Sequence, residues 1–477
     1  MKFDEGLTYD DVLLVPQRSY IDHRHEISLK TRLTRSIEMS LPFVSANMDT
    51  VTESAMAIAL ATEGGIGIIH RFMTIDEQAR EVSQVKRNVG FVLRTPYTIR
   101  PNDTIREILQ QKTKTGIDCF IVTDKANHVV GIISRRDYQF VTSLNTPVAK
   151  LMTPRRRLIV GNKKTSIQEA KKIFASRKIE KLPLVDRNDT LIGLITARSV
   201  KNFEKFPHST KDAYGRYRVG AAVGVVDDYL DRTRALLGAG ADVIVVDVAH
   251  GHNDVSLRAI KTIRKLHKHI DIIGGNVATP EGVSDLIAAG VDAVKVGIGS
   301  GGLCTTRMVA GVGVPQLTAI MRARARAKKS GVPVIADGGT NYPGDIAKAL
   351  AAGASSIMLA GWFAGTDESP GGIIMRKGMK YKVHRGSASF LATADRKLKF
   401  KQTTEDHLNS IVAEGIEALI PYKGKVADVV YQLGGALKSG MSYCNARTIR
   451  ELWKNARFIR ITDAGFRESK SHNVEEL

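Results

Sequence analysis

The chain has 477 residues, 43% hydrophobic, 25% charged and 6% aromatic, the balance of a soluble globular protein of about two to four domains or one large barrel carrying an insertion. No apolar run reaches the roughly 18 residues of a membrane-crossing helix, and Met1-Lys2-Phe3-Asp4-Glu5 opens no apolar signal core. The net charge of +21 is spread over separate runs (155–157, 322–329, 396–401) that hold a single aromatic, Phe400, so it reads as a basic surface and not as a nucleic-acid platform.

Residues 1–90 read as βα units, with strand signals at Val12-Leu13-Leu14-Val15, at Val44-Ser45-Ala46 and around Gly64-Gly65-Ile66-Gly67. They cannot close a barrel alone. Residues 91–205 read as an insertion that repeats itself. Its first half runs from Pro101-Asn102-Asp103-Thr104 through Phe120-Ile121-Val122 to Ile132-Ile133-Ser134-Arg135-Arg136-Asp137. Its second half runs from Lys164-Thr165-Ser166 through Leu182-Pro183-Leu184-Val185 to Leu194-Ile195-Thr196-Ala197-Arg198-Ser199.

Across 206–477, short β-branched runs alternate with helical patterns such as 279–289, capped by Thr279 with a first-turn Pro280. Strands buried on both faces and joined by helical crossovers mean a parallel sheet. Polar residues or glycines end these runs at Asp247, Asn276, Gly297, Asp337 and Gly361, and no Gly-x-Gly-x-x-Gly follows an N-terminal strand. The expected fold is therefore α/β, a (β/α)₈ barrel with its site at the strand C-termini.

One stretch carries the chemistry: Gly297-Ile298-Gly299-Ser300-Gly301-Gly302-Leu303-Cys304-Thr305-Thr306-Arg307 follows the strand signal Ala293-Val294-Lys295-Val296. A glycine-rich turn lets the backbone approach a ligand and delivers one cysteine to the barrel mouth. The three cysteines, Cys119, Cys304 and Cys444, are far apart, which suits a reducing, cytoplasmic compartment and excludes a disulfide framework. The stretch resembles the catalytic loop of the IMP dehydrogenase/GMP reductase family, and the resemblance covers nearly the whole chain.

That resemblance implies a set of roles. Cys304 would attack purine C2 as a thiolate, and Thr306 with Glu414, in Ala413-Glu414-Gly415-Ile416, would carry proton transfer. Asp337 would accept the ribose hydroxyls of a purine mononucleotide. The amides of Gly338, Gly339, Ala360 and Gly361 would cradle its phosphate, with Arg385 and Gly386 also on the substrate. Asp247, with Gly297, Ile298 and Gly299, would meet the nicotinamide cofactor, NADPH or NAD⁺. The carbonyls of Gly297, Gly299 and Cys304 would form half of a K⁺ site, completed by the Glu468-Ser469-Lys470 segment of a neighbouring subunit in a homotetramer or octamer.

The insertion resembles tandem CBS repeats, a Bateman module, which implies a regulatory ATP- or GTP-type nucleotide. Asp137 fits the ribose-contacting position, whereas the matching place in the second repeat is Ser199. Two branches of the family remain open. The dehydrogenase hydrolyses its adduct with an Arg-Tyr pair on a flap, and here Phe400 and Lys401 stand at that place, with Arg396 four residues away. The reading is an NADPH-dependent GMP reductase. The alternatives are IMP dehydrogenase, with Arg396, Lys399 or Lys401 as the flap base, or a catalytically silent nucleotide sensor. Gly302, His384 and Ser387 stand where the family has serine, tyrosine and methionine.

Overall fold

The structure, a computed structural model, describes residues 3–88, 91–93, 95–399 and 411–471. The chain forms two compact units, Met1–Lys86 with His208–Asp212 and Tyr217–Leu477, and Arg87–Pro207 with Ala213–Arg216.

The first unit is a closed parallel barrel of eight strands. They are β1 (Phe43–Ser45), β2 (Ile66–Ile69), β3 (Val219–Val223), β4 (Val243–Asp247), β5 (Asp271–Val277), β6 (Ala293–Val296), β7 (Val334–Asp337) and β8 (Ser356–Leu359). Each pairs with its neighbour in chain order, and β8 closes on β1 through Ile357 opposite Phe43 and Leu359 opposite Ser45. The β-branched and aliphatic runs become strands because both faces are apolar: the helices cover the outside and side chains fill the inside. Ile66, Ile68, Val243, Ile272, Val294, Val334 and Ile357 are fully buried.

Local signals set the crossovers. Thr279 Oγ1 accepts the Gly282 N–H at 3.2 Å to start the helix Pro280–Ala289, and Gly290, at φ 104°, ends it. The helix Pro343–Ala351 joins β7 to β8. Its entry is fixed by Asp345 Oδ2, which accepts the Asn341 and Tyr342 N–H groups at 2.9 and 2.8 Å. The crossover between β2 and β3 carries the second unit after the helix Ile75–Asn88.

The unit edges fall a few residues from the expected 90/91 and 205/206. Lys86 is the physical reason on the barrel side. Its buried ammonium donates to Asp212 Oδ2 at 3.0 Å, Tyr217 O at 2.9 Å and Asp242 Oδ2 at 2.8 Å, tying the outgoing helix and the returning chain to one point.

The second unit is built from two similar halves. Each has a helix, an antiparallel strand pair and a short helix: Ile105–Thr115, Cys119–Thr123, Val129–Ser134 and Arg135–Tyr138, then Ile167–Arg177, Lys181–Val185, Leu191–Thr196 and Ala197–Lys205. Ile121, Val129, Val185, Leu191 and Leu194 form a cluster drawn from both halves. The hairpin turns interlock, with the Val129 N–H on Asp189 O at 2.9 Å and the Leu191 N–H on Asn127 O at 3.0 Å. Asp124 and Asp186 play the same part in the two turns, each accepting two backbone N–H groups on Oδ1.

Candidate active site

The loop after β6 brings Cys304 to the barrel mouth with its thiol exposed. The thiol donates to Thr306 Oγ1 at 3.2 Å, and the Thr306 hydroxyl donates to Glu414 Oε2 at 2.7 Å. Glu414 lies 108 residues along the chain from Thr306 and is delivered by backbone pairing. The Thr305 N–H bonds Glu414 O, the Ile416 N–H bonds Leu303 O and the Glu414 N–H bonds Ala388 O, each at 3.0 Å. The three side chains named for chemistry thus stand in one hydrogen-bonded series.

Asp337 ends β7 and faces the same mouth. Its Oδ2 accepts from Lys295 Nζ at 2.7 Å and from Asn276 Nδ2 at 2.9 Å. Asp247, at the end of β4, receives Lys295 on Oδ1 at 2.9 Å. Burial pushes the Asp247 carboxyl up, but Lys295, Arg71 and a bond from Asn47 outweigh it and hold it below the ordinary carboxylate range. Burial likewise opposes the charge on Lys295, and the two carboxylates win, holding its ammonium above the usual lysine range.

Lys295 and Asn47 were absent from the expected site, and Asn276 entered it only as the end of a strand. A signal for Lys295 exists: a lysine inside an otherwise apolar strand must be paired if it is buried. Gln316 was also missed. It receives the Ser300 hydroxyl at 3.0 Å and donates to Val296 O at 2.8 Å and Asp337 O at 3.2 Å, clamping the cysteine loop onto β7. Ser300 is therefore committed and does not replace the hydroxyl that Gly302 lacks. Gly302 has open space around its missing Cβ.

Gly338 and Gly339 turn the chain after β7 with φ of 102° and 81°, which frees their backbone to approach a ligand. Ala360 and Gly361 begin the one-turn helix Gly361–Ala364 after β8. Arg385 and Gly386 already have partners within the chain. The Arg385 guanidinium is held by Asp49, at 2.8 Å from Nε, and by Asp395, at 2.6 Å from Nη1, while the Gly386 N–H is spent on Ile416 O at 3.0 Å. Arg385 thereby ties the helix Phe390–Lys399, which carries Asp395, to Asp49. His384 is buried with Nδ1 at 3.1 Å from Thr50 Oγ1, and burial, then Lys423, push its pKa down to about 4.

The loop residues Gly297, Ile298 and Gly299 adjoin this network, and Gly297 O already accepts Asn276 Nδ2 at 2.8 Å. Glu468, Ser469 and Lys470 lie at the end of the helix Asp463–Glu468, where the Ser469 hydroxyl donates to Gly465 O at 3.0 Å. On the flap helix Phe390–Lys399, Arg396 lies over the Phe72 ring at 5.4 Å from its centroid. Phe400 and Lys401 lie outside the described residues, as does the side chain of Lys399.

In the second unit Asp137 sits at the start of the helix Arg135–Tyr138. Its Oδ2 accepts the Ser134 N–H at 2.7 Å and the Ser134 hydroxyl at 2.8 Å. Ser199, at the matching place, donates to Phe91 O at 3.0 Å and Thr196 O at 2.8 Å. No helix among the described residues is long and apolar enough to cross a membrane.

Comparison with known proteins agrees with this geometry. Residues 6–472 match the model of the IMP dehydrogenase / GMP reductase domain. Inosine-5'-monophosphate dehydrogenase of Nitrosopumilus maritimus is 49% identical over 99% of both chains, and GMP reductase of Leishmania donovani is 43% identical over 99% of this chain and 98% of its own. A cysteine-to-alanine variant of Trypanosoma brucei GMP reductase in complex with guanosine 5'-monophosphate superposes with a TM-score of 0.91, at 41% identity and 99% coverage of both chains. Another structure of that enzyme, in complex with guanosine 5'-triphosphate, gives 0.80 at 38% identity, covering 96% of this chain and 98% of its own. The chain belongs to the IMP dehydrogenase/GMP reductase family, and is an oxidoreductase acting on purine nucleotides.

Proposed function

We propose that the chain is a GMP reductase, converting GMP, NADPH and a proton to IMP, ammonia and NADP⁺. The series Cys304–Thr306–Glu414 carries this reading. Cys304 Sγ adds to purine C2, and its proton has a route through the Thr306 hydroxyl to the Glu414 carboxylate. The same route returns a proton to the C2 amino nitrogen, which leaves as ammonia. NADPH, when bound, supplies the hydride that C2 takes as the carbon–sulfur bond breaks. The bound GMP of the Trypanosoma brucei relative supports the substrate.

Asp337 would accept the mononucleotide ribose, and the amides of Gly338, Gly339, Ala360 and Gly361 its phosphate. The residues beside Asp247 suit a dinucleotide: Arg71 Nε is buried with no hydrogen-bond partner among the described residues, and its charge acts on Asp247. Together they offer an acceptor for a ribose hydroxyl and a cation for a phosphate. The carbonyls of Gly297, Gly299 and Cys304, with the 468–470 segment of a neighbouring subunit, would hold K⁺. The second unit would act as the regulatory module, with Asp137 reading a purine nucleotide.

One observation favours IMP dehydrogenase as a second reading, beside the higher identity of its named relatives. Burial, then Arg71, hold the Arg396 guanidinium below its ordinary range, the direction a flap base requires. Absorbance at 340 nm decides between them. GMP with NADPH should lose absorbance as IMP and ammonia form, and IMP with NAD⁺ should gain little. Steady XMP formation from IMP would overturn the reductase reading and make Arg396, Lys399 or Lys401 the base.

A further inference from the structure

Lys295 is a buried cation at the barrel mouth that the proton route does not use. Lys295 is 2% exposed, in the middle of the pairing register between β5 and β7. Its ammonium reaches Asp247 Oδ1 at 2.9 Å and Asp337 Oδ2 at 2.7 Å, and Asn276 Oδ1 takes a third bond. Asn276 then donates to the same Asp337 oxygen at 2.9 Å and to Gly297 O at 2.8 Å. A lysine buried this far is costly unless each of its protons is met, and here three acceptors surround it. Each carboxylate gives one named oxygen to the ammonium and stays about a quarter exposed, at 21% for Asp247 and 24% for Asp337.

We propose that Lys295 is a positioning residue shared by both ribose sites: one ammonium fixes Asp247 and Asp337 in the orientations that read ribose hydroxyls, so mononucleotide and dinucleotide binding depend on the same side chain. The inference rests on the reading of these two aspartates as ribose acceptors. An unheld carboxylate samples several orientations and must be ordered on binding, whereas a clamped one is ordered beforehand. Because ribose is common to GMP and IMP, the effect is independent of which branch of the family the chemistry follows.

The test uses the full chain with Cys304→Ala, so that no turnover occurs, and calorimetric titration with GMP, IMP, 2′-deoxy-GMP and NADPH. Lys295→Met should weaken GMP, IMP and NADPH each by at least about tenfold, the scale of one lost pre-organised charged contact. It should also erase the preference for GMP over its 2′-deoxy analogue, which general loosening of the barrel would leave in place. Unchanged affinities, a loss confined to one ligand or a retained ribose preference would each overturn the sharing. Should Lys295→Met fail to fold, Lys295→Met with Asp247→Asn keeps the local charge, and it should bind GMP at least about tenfold more weakly than Asp247→Asn alone. Equal affinity there overturns the proposal too. Asp337→Asn separates the two layers. If it leaves GMP affinity unchanged, the ribose reading itself fails and the inference with it; if it weakens GMP while Lys295→Met does not, only the inference fails.

Discussion

Two single residues differ in their dealings with protons: in the proposed mechanism Glu414 carries one, whereas His384 refuses them. Glu414 accepts the Thr306 hydroxyl at 2.7 Å, so Glu414→Gln keeps the shape and a hydrogen bond but removes the base. Deamination should slow by roughly 10²–10⁴, the usual range for losing a general acid–base, while hydride transfer changes little. Rapid-quench release of ammonia from GMP reads the first step, and the single-turnover rise at 340 nm from IMP with NADP⁺, which needs no deamination, reads the second; equal slowing of both would remove Glu414 from the transfer to the amino nitrogen. His384 refuses protons because burial, and then Lys423, bring its pKa from 6.5 to about 4 against the weaker pull of Asp49. The folded state therefore binds fewer protons than the unfolded one between these values. His384 contributes stability in full above pH 6.5, and that contribution drains away as pH falls to about 4, on the order of 3 kcal/mol in all. Urea unfolding at pH 7 and pH 5 should show a smaller acid loss for His384→Gln, which leaves a hydrogen-bonding group toward Thr50 and nothing to titrate.

At the scale of elements, the site is an interlock between the loop after β6 and the turn after β7. A Cβ on Gly297 would run into the Asp337 carbonyl, and one on Gly338 would meet Ser300 Oγ at 2.6 Å and Gly301 N at 3.0 Å. Gly297→Ala should push the two strand ends apart, costing roughly 1–3 kcal/mol of stability, and turnover should fall about 10²-fold because Asp337 and Cys304 no longer share one frame. Gly302→Ala, in open space, should leave the melting temperature unchanged; a melting temperature for Gly297→Ala equal to it would count against the interlock. Much of this architecture is legible in the sequence, since β4 to β8 lie on short apolar, β-branched runs and Asp247 and Asp337 end two of them, whereas β3, Val219-Gly220-Ala221-Ala222-Val223, offers no such run. Thr279 and Gly290 announce a helix from either end. What stayed hidden has its partners far away in the chain. Lys295 looks like one polar residue in a strand until β4 and β7 bring Asp247 and Asp337 to it. Arg385 shows no partner in the sequence until the fold brings Asp49, from the loop after β1, and Asp395 to it.

At the scale of the whole molecule, the barrel carries its second unit on a single crossover, and the physical question is whether the two depend on each other to fold. The second unit has its own buried clusters: Ile99, Ile108, Phe120 and Ile133 in one half, Leu182, Leu184 and Ile195 in the other. On the barrel side Lys86 already joins the outgoing helix to Asp212, Tyr217 and Asp242, so both ends of the crossover are anchored without help from the inserted residues. Insertions at such anchored ends are tolerated because few native contacts depend on them. Replacing residues 87–207 by a short Gly/Ser linker should therefore leave a barrel that melts cooperatively and turns over within severalfold of the parent. In the intact chain, ATP or GTP should shift activity, and Asp137→Ala should remove that shift without changing the rate in its absence. A folded deletion variant with no turnover would mean that the second unit supplies part of the catalytic machinery. A shift that persists in Asp137→Ala would place the regulatory nucleotide elsewhere, and Ser199, already committed to Phe91 and Thr196, would be a poor substitute for it.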